Sequence, residues 1–260
     1  MSITPTVLML LLMITMSRTI LLILIGFAAV AASADTITVT YAGAGTGAIP
    51  TAVADRNAWI LANFGAGDGP EMLETFEDSS QGAYNTLSTG AGTFSVMPTS
   101  KAGSPTLSSG TKTDQFTILD SADSPFSGRF DTTSGGNNWL DSNDITKVQL
   151  STTQSVLYFF MTDVNDQGGV LTIKTGDGTS YSFSSNAKNG DVYFVAIQSS
   201  GPIGTVQWLN SSRSDGWGVD DFGTVDPPAA APEPSGLPLA AAGLGLMALI
   251  WKFRSRTAVK

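Results

Sequence analysis

The chain has 260 residues, of which 42% are hydrophobic and only 13% are charged, and it contains neither cysteine nor histidine. The lack of these two residue types excludes a thiolate nucleophile, a Ser-His-Asp triad, imidazole acid–base chemistry and zinc held by Cys or His. Any catalysis would have to use carboxylates, Lys, Tyr or Ser. Without disulfides, the fold must be held together by the packing of its core.

The charges are unevenly distributed. Of the 13 basic residues, Arg18 and four residues of the C-terminal tail lie outside the segment from Asp35 to Glu233. That leaves 8 basic against 22 acidic residues in the segment, a net charge of −14. Such a negative field disfavours nucleic acid and anionic lipid, whose phosphates need Lys and Arg partners. We therefore expect no nucleic-acid partner.

The N-terminal segment has the pattern of a secretory signal peptide. Met16-Ser17-Arg18 is followed by the apolar stretch Thr19–Val30, and Ala32-Ser33-Ala34 forms a small-residue cleavage site before Asp35. The pattern predicts a signal peptide over residues 1–34 and export through the Sec machinery. A second apolar patch, Val7–Ile14, has no charge before it and favours Met16 as the true start. An uncleaved N-terminal anchor is the alternative.

The C-terminal segment contains, in order, the features that are typical of a membrane-targeting signal. A Pro-rich stalk (226–236), in which proline removes backbone donors and fixes φ, leads into the apolar run Leu237–Trp251. Four basic residues follow this run. Its 15 residues would form roughly 22 Å of helix against a hydrocarbon core of about 30 Å, and Lys252 and Arg254 can extend the reach by snorkelling. The basic tail predicts a cytoplasmic C-terminus for this transmembrane helix.

The stalk contains the triplet Pro232-Glu233-Pro234 directly before the apolar run. Triplet, apolar helix and basic tail in this order resemble the PEP-CTERM sorting signal of bacterial envelope proteins. The resemblance implies that an exosortase-type enzyme recognises Pro232, Glu233 and Pro234. It also implies that the inner-membrane anchor over residues 237–260 is transient and that the protein ends in the cell envelope or extracellular matrix.

Residues 35–225 form the exported domain, which is large enough for one substantial core. Val53, Ile60, Leu61 and Phe64 recur at helical spacing, so the pattern predicts one helix over Thr51–Phe64 that ends at Gly65. The rest of the domain is typical of short strands separated by turn residues. Thr175-Gly176-Asp177-Gly178 predicts a hairpin. We therefore expect a mainly β fold, a jelly-roll-like β-sandwich with one packed helix. The predicted strand segments include Ile37–Tyr41, Thr93–Met97, Val156–Met161, Val170–Ile173, Val192–Ile197 and Ile203–Trp208.

Two loop segments concentrate oxygen-bearing side chains of the kind that calcium prefers. The candidate ligands are Asp141, Asn143, Asp144, Asp163, Asn165 and Asp166. The second segment has the start of an EF-hand loop, but Lys174 stands at the twelfth position, where a bidentate Glu is required. A looser calcium site on one rim of the sandwich remains open. The alternatives are that Asp and Asn form turns, or that the carboxylates are catalytic.

Two tryptophans lie among Gly, Asn and Asp residues, where an exposed ring could stack on a sugar. Trp139 and Trp217 are therefore the candidate glycan-stacking residues, and burial in the core is the alternative. For an enzyme, Glu74 and Glu77 could share a site as paired carboxylates. In a strand, however, they would point to opposite faces.

These patterns favour an exported, non-enzymatic sandwich protein of the cell surface or the exopolysaccharide matrix that binds glycan or other matrix components. A carboxylate-based glycan-active enzyme is the first alternative. A purely structural, glycosylated surface protein is the second.

Overall fold

The computed structural model describes residues 34–101, 114–122, 124–183 and 187–225. The signal peptide, the sorting triplet and the C-terminal apolar segment lie outside these residues, and what the sequence predicts for them stays a prediction. Within the described ranges, no helix combines the length and apolar character that crossing a membrane requires.

The described residues contain one α-helix, α1 (Ile49–Asn63), preceded by a short 3-10 turn, and fourteen β-strands. The strands are β1 (Thr36–Ala44), β2 (Glu71–Glu74), β3 (Gly82–Tyr84), β4 (Thr86–Thr89), β5 (Gly92–Val96), β6 (Phe116–Asp120), β7 (Asn138–Asp141), β8 (Lys147–Thr152), β9 (Val156–Thr162), β10 (Leu171–Thr175), β11 (Ser180–Ser182), β12 (Asp191–Gln198), β13 (Gly204–Asn210) and β14 (Gly218–Thr224).

The strands form two antiparallel sheets. The eight-stranded sheet has the order β1-β12-β9-β14-β7-β6-β3, with β2 paired to β14, and the six-stranded sheet has the order β11-β10-β13-β8-β5-β4. Most neighbours are distant in sequence, because β1 pairs with β12 and β14 lies between β9 and β7. This arrangement brings loops from far along the chain to the same edge of the molecule.

A continuous aromatic core lies between the sheets. Phe159 of β9 stacks on Phe222 of β14, with ring centroids 4.8 Å apart, and Phe94 of β5 meets Phe222 edge-on at 5.3 Å. Trp208 of β13 contacts Phe159 at 5.5 Å. Because residues of both sheets interdigitate in one buried cluster, the mainly β, sandwich-like fold is confirmed.

Helix α1 covers the outer face of the eight-stranded sheet. Its buried residues Ala52 and Ile60 pack with Tyr158, Phe160 and Phe194 in a second apolar cluster. This cover explains why every residue of β9 is buried, since one face meets the other sheet and the opposite face meets the helix. The predicted helix, Thr51–Phe64, matches α1 to within two residues at each end.

The predicted hairpin between β10 and β11 is also confirmed. Thr175 donates its N–H to the carbonyl of Thr179 at 2.9 Å, and Gly178 takes the positive φ of 97° that the tight turn requires. The carboxylate of Asp177 in this turn accepts the backbone N–H of Asp35 at 2.8 Å. The bond joins the start of β1, in the eight-stranded sheet, to a turn of the six-stranded sheet.

Candidate functional site

The loops of the predicted calcium site meet around the guanidinium of Arg129. Its Nη2 lies 2.7 Å from Oδ1 of Asp144, its Nη1 lies 3.2 Å from Oδ1 of Asp141, and its Nε lies 3.2 Å from Oδ2 of Asp163. All four side chains are buried. The chain itself thus supplies a positive charge to three of the six candidate ligands.

Burial acts on both signs of charge in this cluster. It lowers the pKa of Arg129, but the carboxylates of Asp141, Asp144 and Asp163 outweigh it and raise the pKa above the ordinary value. Burial also raises the pKa of Asp163 to about 6, although the N–H of Gly190 and the charge of Arg129 oppose the rise. The buried ion network therefore contains an aspartate whose pKa lies above its ordinary value.

Both candidate asparagines form side-chain hydrogen bonds with backbone groups of other residues. Asn165 accepts the N–H of Leu171 through Oδ1 at 2.7 Å, and Asn143 donates from Nδ2 to the carbonyl of Gln115 at 3.0 Å. Asp166 lies partly exposed beside them and accepts from the side chain of Gln167. Positive φ angles, which Asn and Asp tolerate, occur at Asn143, Asp144, Asp163 and Asn165. These features favour the turn-former alternative.

The calcium prediction was based on carboxylates without a counter-charge, and Arg129 removes that basis for Asp141, Asp144 and Asp163. In the described part of the chain, no group of three or more His, Cys, Asp or Glu side chains is arranged to hold a metal ion. Sequence reasoning missed Arg129 because it lies 12, 15 and 34 residues from its three partners. Its only sequence signal is that basic residues are rare in this acidic domain.

Two glycines make room for this ion network. A Cβ added at Gly216 would lie 2.4 Å from Nη2 of Arg129 and 2.4 Å from Oδ1 of Asp144. A Cβ at Gly128, whose φ is +92°, would lie 2.4 Å from Oδ1 of Asp163. Any side chain at either position would displace members of the network, so glycine is required there for close approach.

The prediction that Trp139 and Trp217 form an exposed stacking platform is wrong. Trp139 is 0% exposed and Trp217 is 1% exposed. Trp139 lies on β7, which pairs on both sides inside the eight-stranded sheet. Trp217 stacks on Trp208 at 5.7 Å in the core between the sheets. The surrounding Gly and Asn residues indicated a loop, but sheet pairing and aromatic packing bury both rings.

A second carboxylate cluster attaches the segment after Arg129 to β14. The carboxylate of Asp220 accepts N–H and hydroxyl bonds from both Thr132 and Thr133, and Asp221 accepts the two threonine hydroxyls. Burial, the charge of Asp221 and a hydrogen bond with Asp131 raise the pKa of Asp220 well above its ordinary value. The folded environment of the fully buried Asp220 therefore favours its protonated form.

Glu74 and Glu77, which could have formed a glycosidase pair, each accept hydrogen bonds from backbone N–H groups of a loop. Glu74 Oε1 accepts the N–H of Phe76 at 2.6 Å. Glu77 Oε1 accepts the N–H groups of Asn137 and Asn138 at 3.0 and 2.9 Å. Both side chains therefore have structural hydrogen-bonding roles at different loops.

A strip of four aromatic rings, which sequence reasoning missed, crosses the side of the sandwich; its two ends are exposed, whereas Phe183 within it is buried. Tyr41 of β1 pairs with Tyr193 of β12, and their ring centroids lie 5.5 Å apart. Phe183 contacts Tyr193 at 5.1 Å and Tyr181 of β11 at 5.2 Å. Tyr41 is 53% exposed and Tyr181 is 36% exposed. We call Tyr41, Tyr193, Phe183 and Tyr181 the tyrosine strip; it joins the edge of one sheet to the edge of the other.

A buried carboxylate supports one end of the tyrosine strip. Tyr41 donates its hydroxyl to Oδ1 of Asp191 at 3.1 Å, and Lys188 donates its N–H to Oδ2 at 2.8 Å. Burial and the nearby charge of Asp191 raise the pKa of Tyr193 to about 12, so its hydroxyl is neutral at physiological pH. The strip therefore offers apolar ring faces together with neutral hydroxyl groups.

No protein-family model matches this chain, and no curated protein matches it either. Among solved structures, it is similar to the CBM22-1 xylan-binding domain of Xyn10C from Paenibacillus barcinonensis, with 11% sequence identity and a TM-score of 0.31. The match covers 62% of this chain and 97% of that domain. Similarity of this degree does not indicate what this chain binds.

Proposed function

We propose that this protein is an exported, non-catalytic β-sandwich that binds a glycan through the tyrosine strip at the cell surface or in the extracellular matrix. The observation that carries the proposal is the strip itself, which leaves Tyr41 and Tyr181 exposed on a domain whose other aromatic side chains are mostly buried. The two exposed rings are joined through Tyr193 and the buried Phe183, and together they form an extended surface for a flat, partly apolar ligand.

A sugar ring suits this surface for a chemical reason. One face of a pyranose presents C–H groups, which pack on an aromatic face, while its edge presents hydroxyls that need hydrogen-bond partners. The rings of Tyr41 and Tyr181 supply the first kind of contact, and their hydroxyls supply the second. Tyrosine has few rotatable bonds, so ordering it on binding costs little entropy.

Charge favours a neutral glycan over an acidic one. Asp191 lies beneath one end of the strip, and the segment from Asp35 to Glu233 carries −14. A uronic-acid polymer would approach this surface against like charge, whereas a neutral polysaccharide would not.

The location belongs to the same proposal. The signal-peptide pattern over residues 1–34 and the resemblance of Pro232-Glu233-Pro234 to a sorting signal support export, followed by exosortase processing at the inner membrane. Exopolysaccharide is the natural ligand class at that destination.

The test is binding of the full chain, in detergent micelles, to a panel of soluble neutral and acidic polysaccharides, measured by affinity electrophoresis. Removing both exposed rings with Tyr41→Ala and Tyr181→Ala should weaken binding at least about tenfold, because each stacked ring contributes on the order of 1 kcal/mol. Changing both residues to Phe keeps the rings and removes only the hydroxyl contacts, so it should weaken binding less than the alanine pair does.

Leu61→Ala is the matched control, since Leu61 is 59% exposed but lies on α1. It should bind as the native chain does. A native chain that binds no polysaccharide, or a double alanine variant with native affinity, would refute the proposal and favour a purely structural surface protein.

A further inference from the structure

The backbone nitrogen of Asp35 makes a long-range contact with a carboxylate. Asp35 N lies 2.8 Å from Oδ2 of Asp177, and the two residues are 142 positions apart. Asp35 is buried, whereas Ala34 before it is exposed. The buried part of the chain thus begins at Asp35, and the backbone N–H of this residue contacts the ionisable carboxylate of Asp177.

The turn between β10 and β11 fixes this acceptor. Oδ1 of Asp177 accepts the hydroxyl of Thr175 at 2.7 Å and the N–H of Thr179 at 2.8 Å, and Oδ2 also accepts the Thr179 hydroxyl at 3.2 Å. The N–H of Asp35, followed by the Thr175 hydroxyl and the Thr179 N–H, holds the pKa of Asp177 well below its ordinary range. Asp177 is therefore a fixed anion at physiological pH.

The sequence places a signal-peptidase site, Ala32-Ser33-Ala34, directly before the same residue. We propose that Asp177 is a preformed receptor for the α-ammonium group that cleavage creates at Asp35. Hydrolysis of the Ala34–Asp35 peptide bond consumes one water and leaves a carboxylate on Ala34 and an amine on Asp35, which takes up a proton. The N–H···O bond to this carboxylate, in which only the acceptor is charged, then becomes an ion pair in which the donor is charged as well.

The surroundings leave Asp177 as the charged partner of the new terminus. Thr36, the next residue, lies opposite Gln198 of β12, and Thr175 and Thr179 flank Asp177. All of these are uncharged, whereas Asp177 places a carboxylate oxygen 2.8 Å from the backbone nitrogen of Asp35. The new ion pair would join the two sheets, so that removal of the signal peptide would tighten the sandwich at the edge of β1.

This inference rests on the export part of the proposed function and is independent of glycan binding. N-terminal sequencing of the envelope protein tests the cleavage, and Asp35 should be the first residue. The pairing is tested separately on chains of residues 35–260, released from an N-terminal fusion partner so that Asp35 is first. The matched control retains Ser33-Ala34, which places its α-ammonium two residues away and leaves Asp35 N as an amide.

The melting temperature of each chain is compared with that of its Asp177→Asn variant from pH 6 to pH 10. Asn keeps an acceptor at Oδ1 for Thr175 and Thr179 but lacks the charge. In the processed chain, Asp177→Asn should lower the melting temperature by about 2–4 °C at pH 6–7. An α-amino group has an ordinary pKa of about 7.7–8.0. Pairing raises this pKa in the folded state, so the difference should shrink as pH rises through the raised value.

The control chain should show a difference that does not change across this pH range. In the processed native chain, acylation of the α-amine at pH 8 should be several-fold slower than in the Asp177→Asn chain, because the ammonium form does not react. Equal acylation rates, or the same pH-independent difference in both chains, would overturn the pairing. A first residue other than Asp35 would overturn the cleavage and would leave the glycan proposal untouched.

Discussion

Arg129 and Asp144 form the shortest contact of the buried ion network, with Nη2 donating to Oδ1 at 2.7 Å across fifteen residues of sequence. The face of the same guanidinium lies over the ring of Phe126, 4.0 Å from its centroid. One basic side chain thus pairs with three carboxylates from two loop segments and itself packs against an aromatic ring. Removing it would leave three carboxylates buried together.

Arg129→Met should therefore be strongly destabilising. Breaking a buried ion pair by removing one partner costs about 3–5 kcal/mol, because the remaining charge stays desolvated. Urea unfolding monitored by tryptophan fluorescence measures the loss. Arg213→Met, at an exposed arginine, should change the free energy of unfolding by less than about 0.5 kcal/mol. Equal effects of the two substitutions would mean that the network does not hold the loops.

Calcium should not stabilise the native chain, since the guanidinium already occupies the space between Asp141, Asp144 and Asp163. Melting curves in millimolar calcium and in chelator should superimpose. In Arg129→Met the same carboxylates lack a counter-charge, so calcium should raise the melting temperature. If calcium stabilises the native chain and Asp163→Ala abolishes the effect, the calcium prediction is correct after all. Micromolar affinity would contribute roughly 4 kcal/mol at that concentration.

The acidic clusters should give the domain an unusual pH dependence. Burial raises the pKa of Asp131, Asp220, Asp221 and Asp163, the last to about 6. An acid with a higher pKa in the folded state binds more protons there. The free energy of unfolding contributed by these groups therefore falls as pH rises from about 4 through the raised values.

Asp131→Asn should flatten this dependence. The amide can still accept the N–H of Thr133 and can donate an N–H to the carboxylate of Asp220. We expect this variant to gain stability relative to the native chain at pH 7–8 and to differ little at pH 4. Urea unfolding across this pH range measures both, and Asp68→Asn, at an aspartate outside the cluster, is the control. A variant with an undiminished slope would show that the carboxyl pair does not control the pH response.

Gly216→Ala should disturb the ion network from the backbone side. The new methyl group would meet the guanidinium of Arg129 and the carboxylate of Asp144, so one of them must move. We expect a loss of about 1–3 kcal/mol in the free energy of unfolding, the usual cost of overpacking. Gly67→Ala is the control, because no atom lies within 4 Å of the added Cβ. Its stability should be close to native.

The sorting triplet lies outside the described residues and can be tested in cells. Replacing Pro232-Glu233-Pro234 with three alanines should leave export intact but retain the protein, unprocessed, in the inner membrane. The triplet contributes little hydrophobicity, so a simple membrane anchor would be unaffected by its loss. Fractionation and gel mobility identical to those of the native protein would remove the sorting hypothesis.

Local patterns predicted the elements well. The helix spacing of Ile60 and Phe64, the Asp177-Gly178 turn and the apolar strand Val156–Met161 all depend on neighbouring residues, and the structure confirms each of them. The sandwich followed from the number and spacing of such strands. These features are decided by interactions between residues that lie close together in the sequence.

The candidate sites depend on sheet pairing, which no local pattern contains. Trp139 was expected in a loop but lies in β7, because pairing with β6 and β14 places it inside the sheet. Arg129 reaches its three partners only because β7 and β9, which precede those loops, both pair with β14. Likewise, Tyr41 and Tyr181 become one surface only after β1 and β11 have become the edges of facing sheets.

The position of β14 has a consequence for how the protein matures. This strand, Gly218–Thr224, is the last one described, yet it lies inside the eight-stranded sheet and pairs with β9, β7 and β2. Pairing between strands so distant in sequence is slow to form, since loop closure must precede the contacts that reward it. A nascent chain that has not yet reached Phe222 lacks the ring at the centre of its core. It also lacks β14, the strand with which β2, β7 and β9 pair. It would therefore stay unfolded until nearly all of the domain has been synthesised, which is the state that a chain must keep to be threaded across a membrane.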